Sequence, residues 1–124
     1  MNNKAIDKIT EEIIGCCFKV HSELGPGFNE KIYHKALLLA LMDKGMRYDT
    51  EKVVNVSFER KKVGTLRLDL IVNDKVVVEV KAVTGLLPEI FKYQILSYLK
   101  ASSISVGLLV NFGNKSCQVK RFVI

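Results

Sequence analysis

The chain has 124 residues, 48% of them hydrophobic, which is enough for one α/β-sized core and too little for two. Nineteen Lys and Arg against thirteen Asp and Glu give a net charge of +6, a balance that favours polyanionic partners such as nucleic acid. No apolar run reaches the ~18 residues of a membrane span, Met1–Thr10 is too polar and mixed in charge for a signal peptide, and the three cysteines form no CxxC or Cys/His cluster. Together these read as one intracellular, cytoplasmic domain over 1–124, without membrane or zinc, with free thiols at Cys16, Cys17 and Cys117.

Ile6, Ile9, Ile13, Cys17, Val20 and Leu24 recur at spacings of three and four and predict a first helix, broken by Gly25-Pro26-Gly27. A second helix follows, with Asn29 as N-cap and Gly45 just past its end. Its middle, Ala36 to Met42, is apolar almost all round, which predicts burial on more than one side. His21 lies beside the first apolar stripe and reads mainly as a satisfied structural histidine, with a phosphate contact as the alternative. His34 reads as surface.

Val54, Val56 and Phe58 alternate with polar residues and predict a half-buried strand, closed by a basic turn at Arg60-Lys61-Lys62. Leu66, Leu68, Leu70 and Val72 form the next strand, and Val76 to Val83 a third. A helix from Pro88 to Lys100, a strand from Ile104 to Phe112 and a last strand from Cys117 to Val123 complete the chain. The predicted class is α/β, a mixed sheet of about five strands flanked by helices in the order α-α-β-β-β-α-β-β.

The register of one hairpin carries the chemical argument. Leu66, Leu68, Leu70 and Val72 are even-numbered, as are Val76, Val78 and Val80, so Val72 should face Val76 across a three-residue Asn73-Asp74-Lys75 loop. Leu70 then faces Val78, and Asp69 faces Glu79. Lys81 points the same way as Glu79. Two adjacent carboxylates repel unless a cation lies between them, and Mg²⁺ or Mn²⁺ takes one or two such ligands while keeping sites for water and phosphate. The competing reading is a wet strand face carrying surface ion pairs worth little. Against it, Ile71, Val77 and Val83 share that face. The basic sets Arg60-Lys61-Lys62 and Lys115, Lys120 and Arg121 read as either backbone contacts to nucleic acid or solvated surface.

Asp69, Glu79, Val80 and Lys81 resemble the PD-(D/E)xK motif of restriction-endonuclease-like nucleases, with Leu68 where the motif has proline. Gly27, Glu30 and Tyr33 match the GxxExxY signature of a small bacterial and archaeal family, over a similarity running from Ile13 to Val123. The resemblance implies a restriction-endonuclease-like core and a metal-dependent nuclease that hydrolyses phosphodiester bonds in DNA or RNA, DNA being favoured. It makes Asp69, Glu79 and Lys81 catalytic. It makes Asp69, Glu79, the Val80 carbonyl and Glu30 the ligands of Mg²⁺ or Mn²⁺, Glu30 directly or through water. Gln94 and Tyr98 become substrate-binding residues. A nucleic-acid-binding or accessory module without turnover is the alternative function, and an assembly role a third. A core this small also implies a homodimer or a partner protein for sequence specificity.

Overall fold

The computed structural model describes residues 3–124; Met1 and Asn2, the start of the segment read as unlike a signal peptide, lie outside them. Eight elements follow in the expected order: α1 (Asn3–Leu24), α2 (Glu30–Asp43), β1 (Tyr48–Phe58), β2 (Lys61–Val72), β3 (Val76–Lys81), α3 (Ile90–Ser102), β4 (Val106–Asn111) and β5 (Gln118–Val123). The strands form one sheet in sequential order, antiparallel except for the parallel β3–β4 pair that α3 connects. Among the described residues no helix is long and apolar enough to cross a membrane.

Both faces of the sheet are covered. Leu70, Val72, Val76, Val78 and Val80 pack with Ile13, Cys17, Leu37 and Leu41 of α1 and α2. Ile71 and Val77 pack on the other side with Leu99 of α3. Strands buried on both faces tolerate the near-continuous valine run of β3, all of it buried up to Val80. Phe112, the residue after β4, lies inside the first core and stacks on Tyr33, ring centroids 4.8 Å apart.

Local chemistry sets the element ends. Asn29 caps α2, its Oδ1 accepting the Ile32 N–H at 3.1 Å, and Gly45 follows the helix at φ 73° with its N–H on the Met42 carbonyl. The core-facing side of α2 is Tyr33, Leu37 and Leu41, whereas Leu39 and Met42 are each 58% exposed. The helix therefore buries one side, not several: only α1 and the sheet are there to cover it.

Strand boundaries also differ from expectation, and β1 begins at Tyr48, six residues before Val54. The turn after β1 is Glu59-Arg60, both at positive φ, and Lys61 and Lys62 belong to β2. β3 stops at Lys81, because Val83 has left the sheet to pair with a side chain. Asn111 accepts the Val83 N–H and donates to its carbonyl, each at 2.8 Å, and Asn114 makes the same pair of hydrogen bonds to Gly85. The two amides thus act as a substitute strand for the segment that links Lys81 to α3.

Candidate active site

The β2–β3 ladder pairs Val72 with Val76, Ile71 with Val77 and Leu70 with Val78 across Asn73-Asp74-Lys75, as the alternation requires. It ends there. Leu66 and Leu68 pack with Ile71, Val77 and Leu99 on the α3 side, not with Leu70 and Val72. Alternation in β2 therefore breaks at Asp69. Across from it on β1, Glu51 has a φ of 54° and drops out of the β1–β2 ladder between Thr50–Leu70 and Lys52–Leu68. The physical cause is what lies above each half of the strand: α1 and α2 cover Leu70 and Val72, whereas Leu66 and Leu68 find their apolar cover on α3.

Freed from the ladder, Asp69 still meets Glu79. It is half-buried, and its carboxylate lies near enough to act on the Glu79 carboxyl. Glu79 is 4% exposed. Burial, and then the Asp69 charge, push its pKa up to about 8; Lys81 opposes this, and the hydrogen bond to Asp69 and the Glu30 charge add to it. Lys81 places Nζ 3.9 Å from Glu79 Oε2 and 4.4 Å from the centroid of the Phe91 ring. Glu79 Oε1 is buried and has no hydrogen-bond partner. A buried carboxylate oxygen without a donor is costly, and here the cost falls beside a second carboxylate and an amine.

The remaining predicted residues surround this pair. Glu30 is exposed at the start of α2 and shares an open cleft of about 420 Å³ with Asn29, Lys31, His34, Glu51 and Asp69. Tyr98 is half-buried on α3, its pKa raised by burial and by the Glu79 and Asp69 charges. Gln94 lies on the same α3 stripe, three residues after Phe91 and four before Tyr98. The Val80 carbonyl points away from β4, because the next carbonyl, Lys81's, accepts the Phe112 N–H at 2.8 Å and successive carbonyls alternate. It faces β2 beyond the last ladder pair. Among the described residues, however, no group of three or more His, Cys, Asp or Glu side chains is gathered tightly enough to hold a metal ion. Two carboxylates meet; Glu30 stands further out.

Three residues here were not singled out from the sequence. His34 is half-buried, with Nε2 3.4 Å from the Asp69 carbonyl oxygen. Its signal was available, four residues after Glu30 on one helix. Phe91 and Glu51 gave none, since their contacts depend on how α3 and β1 dock. His21 is structural: it is 7% exposed, bonded to the Asn114 carbonyl at 2.7 Å and stacked near Phe112. Tyr33 is structural as well, donating to the Gly25 carbonyl and accepting the Phe28 N–H, so it pins the turn from which Glu30 is presented.

The solved crystal structure of SSO0001 superposes with a TM-score of 0.61 at 25% identity, over 75% of this chain and 48% of that one. The chain therefore spans about half the length of that protein. No curated protein matches it. Residues 7–122 match the description of one family, and on that match the chain belongs to the PD-(D/E)XK nuclease superfamily.

Proposed function

We propose that the protein is a metal-dependent nuclease of the GxxExxY type, hydrolysing phosphodiester bonds with Asp69, Glu79 and Lys81. The observation that carries this reading is the buried, partnerless Oε1 of Glu79 beside a second carboxylate and an amine. A hard divalent cation suits such a donor set. Asp69, Glu79 and the Val80 carbonyl would hold Mg²⁺ or Mn²⁺, with Glu30 reaching it through water. When bound, such an ion acidifies a water and offsets charge on the scissile phosphate.

The protein's own groups supply the rest. Glu79 and the face of Phe91 hold Lys81 Nζ, which donates to the attacking water or to a phosphoryl oxygen. Tyr98 and Gln94, one turn apart on α3, orient the substrate. Removing the Lys81 amine should lower cleavage by a factor of 10² or more, the usual loss for one transition-state donor. The test is cleavage of labelled DNA and RNA with Mg²⁺, Mn²⁺ or EDTA by wild type, Asp69→Asn, Glu79→Gln and Lys81→Ala. Metal-dependent cutting that all three variants lose is expected. Cutting retained by Lys81→Ala would refute the assignment.

A second reading is a nucleic-acid-binding or accessory module without turnover. The gathering of only two carboxylates, one carrying a pKa near 8, favours it. Binding that is indifferent to metal, with no cutting under any condition, would establish it.

A further inference from the structure

We propose that the β1–β2 hairpin is a grasping arm that lays its basic tip against double-stranded DNA and leads the duplex to Asp69. This rests on the nuclease reading for the direction of the duplex, but not for the binding itself.

The arm is defined by what it lacks. β2 pairs with β3 only from Leu70 to Val72, so from Lys52 to Leu68 the hairpin has no third strand. Its root is held by α3, through Val54, Leu66 and Leu68 against Tyr98 and Leu99. Beyond that support, Ser57 to Val63 are exposed without interruption, Phe58 at 67% and Val63 at 64%. A register shift at Val56–Ser57 marks a bulge that bends the ribbon near this point.

The arm holds a local excess of positive charge. Lys52, Arg60, Lys61, Lys62 and Arg67 are offset within it only by Glu59, a net +4 of the molecule's +6. The cleft it leads to is acidic on balance, with Glu30, Glu51 and Asp69 against Lys31, and gives a polyanion little attraction of its own. The tip turn is also strained. Glu59 and Arg60 take φ of 50° and 68°, where Asn or Gly is the ordinary choice. Keeping Arg60 there costs stability and gains a cation at the extreme tip. Finally, the arm is continuous with the candidate site. Arg67, two residues before Asp69, is 3.8 Å from Glu51, which lines the Asp69 cleft.

The shape selects among nucleic acids. A two-stranded ribbon fits the roughly 12 Å major groove of B-form DNA. The major groove of an RNA duplex is too deep and narrow for it. A single strand would want a row of stacking aromatics, and the tip offers Phe58 alone.

The experiment measures anisotropy of a labelled DNA duplex, a matched RNA duplex and single-stranded DNA against the full chain, in EDTA and over a salt series. Three proteins are compared: wild type, the tip variant Arg60→Ala/Lys61→Ala/Lys62→Ala, and Lys8→Ala/Lys19→Ala/Lys44→Ala. The last removes equal charge from the α1–α2 groove. Duplex DNA should bind best. The tip variant should lose affinity at least tenfold at about 0.1 M salt and flatten the log–log salt slope by about 2 to 3, about 0.9 per lost phosphate contact. The groove variant should lose much less. Equal losses in both variants, no loss at the tip, no DNA binding by wild type, or equal preference for RNA would each overturn the arm. The two proposals fail separately. Binding that depends on the tip but never leads to metal-dependent cutting removes the nuclease and leaves the arm. Cutting that the tip variant performs at wild-type substrate affinity removes the arm and leaves the nuclease.

Discussion

Glu79 is the residue on which opposing effects meet. Burial and Asp69 disfavour its charge and Lys81 favours it, and the first two win, moving the carboxyl from an ordinary 4.5 up to about 8. Protonation therefore favours the folded state. The stabilisation is fully present below about pH 4.5 and is lost as pH rises through about 8. Each unit of displacement corresponds to about 1.4 kcal/mol, so the effect is large enough to read. Urea titrations in EDTA across this window should show wild type losing stability with rising pH, while Glu79→Gln, neutral throughout, stays flatter. Parallel curves for the two proteins would mean that burial does not govern this carboxyl. That Glu79 lies within the valine run of Val76 to Val80 was legible in the sequence, where a wet strand face was the competing reading; its 4% exposure excludes that face. Its missing donor was not legible, because satisfaction depends on neighbours brought in by α2 and α3.

At the scale of elements, the hairpin loop and the order of all eight elements followed from alternation, turn residues and caps. The break at Asp69 did not. Alternation reports which side of a strand is apolar, not which helix lies over each half, and β2 changes helices along its length. The segment after Lys81 was misread as strand for a related reason: the Asn111 and Asn114 amides supply backbone-like bonds that no hydrophobic pattern encodes. That segment packs closely. A Cβ at Gly113 would come within 2.4 Å of the Val83 carbonyl oxygen, so the backbone must move. Gly113→Ala should cost about 1–3 kcal/mol, the usual range for overpacking. Gly64→Ala, with open space and no positive φ, is the matched control. Denaturant midpoints decide between them. Because Val83 lies two residues from Lys81, the same substitution should also lower cleavage, and a normal midpoint would show that the Val83 turn yields freely.

At the scale of the whole molecule, the β1–β2 arm carries a local excess of cations and the cleft at its foot gathers Glu30, Glu51 and Asp69. On the proposed nuclease reading a cation would reconcile the acidic end with a phosphate substrate, and its binding would have a signature separate from catalysis. An ion that binds only the folded state stabilises it by about 2.7 kcal/mol at a hundredfold excess over its dissociation constant. A domain of this size gains roughly 3–6 °C per kcal/mol. Millimolar Mn²⁺ should therefore raise the Tm of wild type by several degrees, and should leave Asp69→Asn and Glu79→Gln nearly unmoved. Lys81→Ala separates the roles. Its amine competes with a cation for Glu79, so the variant should keep the thermal response, or enlarge it, while losing cleavage. A wild-type Tm indifferent to Mn²⁺ and Mg²⁺ would leave the buried Glu79 oxygen without the partner argued for it, and the accessory-module reading would then account better for a protein that retains the superfamily's frame.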